Sequence, residues 1–200
     1  MQNLFFSNFL EGKSHAQKIA YLGLFTAINV VFNAFFEFKT LDVQFSFTIF
    51  ISALTGIVVG PLSGFLVCML ADLVGYLINS FGYLYMPWVG LSLGVLSFFS
   101  GLIFIKNSEK IILKTALVCT VSLFICTILI NSTGFYFYNR AMGFSTAVLN
   151  YVNEFFGKDV SFIAYLCYRL IFKGQILNSL FNFILLFVSL PALKRCKLIV

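Results

Sequence analysis

From Ile111 to Thr133 the chain runs through apolar residues with a single charge, Lys114. A helix that crosses the hydrocarbon core of a bilayer needs about 20 mainly apolar residues. Five further stretches have the same character: Lys18 to Phe36, Gln44 to Gly60, Leu62 to Asn79, Trp88 to Ile105 and Tyr165 to Leu190. Inside a bilayer every backbone polar group must be satisfied by the protein itself, so only helices and closed barrels cross it. Barrel strands alternate apolar and polar residues over short segments. These runs are continuous and longer, which predicts helices. The expected fold is an all-α integral membrane protein, a single membrane domain over residues 1–200. Its six transmembrane helices are expected at about 18–36, 44–60, 62–79, 88–105, 111–133 and 165–190. Gly60-Pro61 predicts a tight hairpin between the second and third, and Pro191 a stop for the sixth.

Composition removes the alternatives. Apolar residues make up 60% of the chain and charged residues 10%, against about 45–50% and 25% in soluble globular proteins. A soluble enzyme, a disordered segment and a secreted disulfide scaffold are excluded. The net charge of +6 is not a nucleic-acid footprint, because the basic residues sit in small groups between apolar runs. Cys68, Cys119, Cys126, Cys167 and Cys196 form no C-x-x-C pair and read as small buried hydrophobes. His15 is the one histidine, which leaves no multi-His metal site. No P-loop and no nucleophile–base pair is visible. Neither a cofactor, a metal nor a catalytic residue is expected, and the chain reads as a non-enzyme. Met1–Leu10 is apolar, but Glu11-Gly12-Lys13-Ser14-His15 follows without a small-residue cleavage site. The segment therefore reads as a cytoplasmic amphipathic lead-in, not a secretory signal.

Lys and Arg set the expected orientation. Lys13, Lys18, Lys106, Lys110, Lys114, Lys194, Arg195 and Lys197 fall at one set of helix ends. Lys39, Arg140 and Lys158 fall at the other. This bias predicts cytoplasmic N and C termini. The loops at about Glu37–Val43, Ser80–Pro87 and Phe135–Ile163 then face outward.

Polar residues inside the apolar runs are the functional candidates, since ionisable groups in a membrane are costly. Arg169 and Lys173 are four apart on the expected sixth helix and share a face. They suit an anionic group such as a carboxylate; the alternative is that they snorkel to the headgroups. Asp72 lies near the middle of the third helix, as a structural partner of a cation or as a ligand contact. Asn29 and Asn33 are four apart in the outer half of the first helix, and Asn131 is near the outer end of the fifth. With Tyr83, Tyr85 and Trp88 they offer one outward pocket the amide and aromatic groups that a flat heterocycle needs. An interfacial aromatic belt is the competing account of the rings. On the inner half of the first helix, Gly23 and Ala27 are four apart, with Ala20 on a neighbouring face, and such small residues admit another helix closely, within this protein or outside it.

Several motifs resemble a known family. Val59-Gly60-Pro61-Leu62-Ser63-Gly64, then Ala71-Asp72-Leu73-Val74-Gly75, then Gly82 to Trp88, then Ser100-Gly101-Leu102-Ile103 follow in order. With Arg169-Leu170-Ile171-Phe172-Lys173-Gly174-Gln175, this series resembles the substrate-binding S components of energy-coupling-factor (ECF) vitamin transporters, most closely the folate-type branch. Ala34 stands where folate-type members would have an Arg, and Met86-Pro87-Trp88 replaces a more usual Phe-Pro-Gly. The resemblance implies a high-affinity binding subunit of an ABC-type importer in the cell membrane. It takes up folate or a related pterin, or another vitamin such as riboflavin or pantothenate. Its partners would be a transmembrane scaffold subunit and two cytoplasmic ATPase subunits. Ala20, Gly23 and Ala27 would meet the scaffold. Asn29, Asn33, the 80–88 loop, Arg169 and Lys173 would line the pocket. A small channel or assembly protein outside this family is the rival class.

Overall fold

The computed structural model describes residues 4–40, 43–80, 84–105, 110–157 and 159–196. In chain order the elements are α1 (Asn8–Glu11), α2 (His15–Phe35), β1 (Glu37–Thr40), β2 (Val43–Ser46), α3 (Thr48–Val59), α4 (Pro61–Ile78) and α5 (Pro87–Phe104). The continuous helix α6 (Ile111–Met142) follows, then α7 (Thr146–Phe155). The chain ends with α8 (Phe162–Phe172) and α9 (Gln175–Arg195). Among the described residues, α2, α4, α5, α6 and α9 are long and apolar enough to cross a membrane.

The helix surfaces show which solvent they were built for. On α4, Leu66, Leu70, Leu73 and Leu77 are exposed along one stripe, while Val67, Cys68, Ala71, Asp72 and Gly75 point into the bundle. In water that stripe would be an aggregation surface; in lipid it is an ordinary face. α2 is still more open and starts on a capping box, with Ser14 and Gln17 satisfying each other's backbone N–H groups.

Glycines hold α3, α4 and α5 together at one end. A Cβ on Gly56 would run into the Ser97 carbonyl of α5. One on Gly101 would come within 2.7 Å of the Gly56 carbonyl. Gly60, at φ 126°, makes the turn from α3 to α4 in a conformation that favours glycine. The N-terminal segment completes this corner. Ser7 N–H donates to the Val59 carbonyl (3.0 Å), and Leu4 and Phe5 carbonyls accept from Leu62 and Ser63 N–H (3.1 and 3.3 Å). The end of α3 and the start of α4 thus find backbone partners that neither helix supplies. Leu10 is fully buried in the same place.

Four expectations are corrected. The second helix does not begin at Gln44: residues 43–46 form β2, paired antiparallel with β1 from Glu37↔Ser46 to Thr40↔Val43. The period-2 alternation Val43-Gln44-Phe45-Ser46 is a strand pattern that the longer apolar run hides. α3 has 12 residues, about 18 Å at 1.5 Å per residue, short of a bilayer core. The expected fifth helix does not stop at Thr133. α6 has 32 residues and outruns the roughly 30 Å hydrocarbon thickness. The expected loop Phe135–Ile163 is therefore mostly helical, and with α7 and α8 it encloses a second core of Tyr136, Val148, Val152, Ala164, Tyr165 and Tyr168. The expected sixth helix is two helices, broken at Gly174, whose φ of 67° is left-handed. Finally, α9 passes through Pro191 to Arg195; in the last turns the missing N–H costs one hydrogen bond and does not end the helix.

Candidate functional site

At the end of the bundle away from the Gly60 corner, seven elements leave a cavity of about 250 Å³. The C-terminal turn of α2 contributes Phe32 and Asn33, and the β2–α3 junction Ser46, Thr48 and Ile49. The first turns of α5 supply Val89, Ser92, Leu93 and Leu96. The long helix α6 supplies Ser122, Cys126, Thr127, Asn131 and Phe135, and the α8–α9 corner Arg169, Gln175 and Asn178. Among these lining residues there is one formal charge, Arg169, and no carboxylate.

Local backbone geometry brings the polar groups in. Residues Ser122–Ser132 of α6 and Tyr168–Phe172 of α8 are π-helical. Thr127 and Ser132 hydroxyls donate five residues back, to Ser122 and Thr127 carbonyls (3.0 and 2.8 Å). The wider turn lines up residues four to five apart, so Ser122, Cys126, Thr127 and Asn131 fall on one wall. Such insertions are frequent at functional sites. The second π segment carries Arg169.

Three of these side chains hold buried polar atoms without a hydrogen-bond partner: Ser122 Oγ, Asn131 Oδ1 and Arg169 Nη1. A buried unpaired polar group costs about 1–3 kcal/mol, and more when charged. Their convergence on one cavity is the signature of a site that a ligand completes. The Arg169 guanidinium lies over the Phe135 ring at 4.3 Å, a cation–π seat that leaves one edge of the fork open. Behind Phe135, Trp88 packs edge-on at 5.7 Å, and Gly134 gives the indole room against α6.

The junction beside the cavity is fixed by two asparagines of α9. Asn178 Oδ1 accepts from Ser46 N–H (2.9 Å) and Asn182 Oδ1 from Phe50 N–H (3.0 Å). Asn182 Nδ2 also donates to the Ser46 carbonyl (2.8 Å). One helix thereby caps the free N-terminus of another.

The sequence candidates separate. Asn33, Asn131 and Arg169 line the cavity together. Asn29 does not; its amide donates to Thr55 Oγ1 (2.7 Å) and ties α2 to α3. Trp88 stands one ring behind the wall. Lys173 is exposed and absent from the lining, because α8 ends there and Gly174 turns the chain away; the expected two-cation face does not form. Among the described residues Asp72 meets no cation: its acceptors take Asn33 Nδ2 (2.9 Å), the Tyr85 hydroxyl and the Gly90 N–H. Burial, then the Asp72 charge, pushes the Tyr85 hydroxyl above the usual tyrosine range, so it stays a donor. Tyr83 lies outside the described residues. Ala20, Gly23 and Ala27 are exposed, and a Cβ on Gly23 would meet nothing within 4 Å. Sequence reasoning missed Ser46, Thr48, Ser122, Thr127, Gln175 and Asn178. The five-residue spacing Ser122–Thr127–Ser132 inside an apolar run was the available signal.

A sequence profile described as ECF-type riboflavin transporter, S component, matches residues 13–161. The chain belongs to this family. S components are transport subunits and not enzymes, and this one is a multi-pass protein of the cell membrane. No curated protein matches the chain. Among solved structures, the S component is similar to a crystal structure of FolT bound with folic acid. The TM-score is 0.54 at 24% identity, over 86% of this chain and 90% of that one. That likeness shows a shared fold.

Proposed function

We propose that this S component captures a carboxylate-bearing vitamin from outside the cell, with folate or a related pterin as the leading ligand. The observation that carries the reading is Arg169: 9% exposed, with an unpartnered Nη1, in a cavity that holds no carboxylate of its own. A buried guanidinium is strongly penalised unless an anion pairs with it. A ligand carboxylate accepting from the open edge of the fork supplies that pair. Phe32, Phe135 and Leu93 provide apolar walls for a flat ring, and Asn33 and Asn131 its hydrogen bonds. The folic acid bound by FolT supports the same class. Riboflavin, named in the family description, is the second reading; it lacks a carboxylate to engage Arg169.

The chain crosses the membrane six times in this reading: α2, α4, α5, α6 and α9 at full length, and α3 together with β2, which leads into it and makes up the length that α3 alone lacks. Both termini are cytoplasmic, in keeping with the Lys and Arg bias, and the cavity opens outward. Transport then needs a scaffold subunit with two ATPases. The open small-residue face of Ala20, Gly23 and Ala27 suits close approach by a scaffold helix.

The test is to purify the protein from its native membrane and identify the retained small molecule by mass spectrometry. Titration with folic acid, riboflavin and pantothenate follows. One-to-one binding of folic acid in preference to the others is expected; preference for riboflavin, or binding of none, overturns the ligand assignment. Gly23→Leu is expected to abolish uptake in cells while leaving binding by the purified protein unchanged. Loss of both together removes the docking role.

A further inference from the structure

Asp72 is buried, has no cation beside it among the described residues and does not line the main cavity, yet three donors from three parts of the chain converge on it. Asn33 Nδ2 of α2 donates to Oδ1 (2.9 Å). The Tyr85 hydroxyl, from the segment before α5, and the Gly90 N–H of α5 also donate to the carboxylate. Gly90 sits so close that a Cβ there would lie 2.7 Å from Oδ2. Only one of these partners reaches the cavity: Asn33.

A carboxylate can only accept, so it dictates which way the Asn33 amide points. The nitrogen must face Asp72. The carbonyl oxygen, which has no partner among the described residues, is what remains for the cavity. Gly75, one turn from Asp72 on α4, reinforces the arrangement, since a Cβ there would lie 3.1–3.3 Å from Asn33 Cβ, Cγ and Nδ2. Asp72 and Gly75, both within the Ala71-Asp72-Leu73-Val74-Gly75 segment, thus both act on one side chain of α2.

We infer that Asp72 is a positioning residue that locks Asn33 as a hydrogen-bond acceptor on the cavity wall. Taken with the proposed vitamin-binding function, on which this rests, the ligand must carry two opposite edges. A ring N–H or amino donor meets Asn33 Oδ1, and an anionic acceptor meets Arg169. A ligand with an acceptor at the Asn33 end is rejected by two facing lone pairs. Groups that orient a binding side chain in this way act through preorganisation and not through contact.

The substitution Asp72→Asn separates this role from a structural one. The oxygen left at position 72 stays with Tyr85 and Gly90, and the new amide nitrogen then faces Asn33. Asn33 must flip and present its nitrogen to the cavity. The pair remains hydrogen-bonded, but the wall changes from acceptor to donor. The double variant N33D/D72N restores an acceptor. In it the carboxylate now on α2 accepts from the amide now on α4 and shows its other oxygen to the ligand. The experiment titrates folic acid, and in parallel riboflavin, into wild type, D72N and N33D/D72N, and records the melting temperature of each without ligand. About a tenfold or greater loss of folic acid affinity in D72N is expected, as for one satisfied donor turned into a clash. Recovery in N33D/D72N to within about threefold of wild type is expected with it. Unchanged affinity in D72N, or equal loss in both variants, overturns the inference. Wild type that binds neither vitamin sinks the ligand reading alone. The small molecule retained from the native membrane then replaces them in the same three titrations, and the same affinity order decides; the ligand-free melting temperatures are expected to agree, because the 33–72 pair stays hydrogen-bonded in all three proteins.

Discussion

The two ends of this bundle follow opposite rules. At the Gly60 corner, Gly56 and Gly101 bring helix backbones into contact, and the N-terminal segment satisfies the carbonyls and N–H groups that the α3–α4 turn leaves open. At the other end, α2, α3, α5, α6, α8 and α9 stand apart around a cavity, and Ser122, Asn131 and Arg169 keep polar atoms without partners. The first region is closed by backbone contacts, and its unpartnered buried hydroxyl, Ser97 Oγ, does not line the cavity. On the proposed reading, the second is completed by the bound vitamin. In that reading, stability and recognition lie at opposite ends of the bundle, and substitutions at the two ends should fail in different ways.

The largest effect is expected from Gly56→Val. Its Cβ meets the backbone carbonyl of Ser97, which cannot rotate aside, so the cost sits at or above the upper end of the roughly 1–3 kcal/mol usual for overpacking. Thermal unfolding in detergent should show a large drop or no folded protein; a melting temperature within about 2 °C of wild type would break the account of this end. Arg169→Ala comes next. It should weaken folic acid binding about 30-fold or more, the scale of losing a buried charged hydrogen bond, with no fall in melting temperature. Stability should even rise, since a buried unpartnered charge is removed. Asn131→Leu should weaken binding about 3–10-fold, as one neutral hydrogen bond, and a neutral result would remove α6 from the recognition surface. Lys173→Ala is expected to leave affinity within about twofold, because an exposed cation contributes little. A loss matching that of Arg169→Ala would restore the two-cation clamp and contradict the break at Gly174.

This contrast was partly legible in the sequence. Apolar runs locate α2, α4 and α5 to within a few residues, because lipid-facing helices need continuous apolar length and little else. The same logic fails where tertiary pairing decides. Gln44–Ser46 are apolar enough to read as helix, but the hairpin takes them and Asn178 and Asn182 of α9, far along the chain, hold the end of that strand. The break at Gly174 turns on one φ angle, which an apolar count does not register. For the site, Arg169, Asn33 and Asn131 stand out as polar residues in apolar runs and do converge. Ser122, Thr127 and Asn178 escape notice because hydroxyls and amides in helices often bond back to their own backbone. The π-helical path of α6, which brings the first two to the wall, leaves no mark at the 3.6-residue period.

Trp88, the single tryptophan of the chain, sits against Phe135, whose other neighbour is Arg169. Its fluorescence therefore reports on the cavity wall directly. Folic acid titrated into the purified protein, wild type beside Arg169→Ala, is the most direct test of the central claim. A saturable one-to-one change in wild type, shifted to about 30-fold or more higher ligand concentration in Arg169→Ala, is the predicted result. Overlapping curves for the two proteins, or no saturable response in wild type, would contradict it.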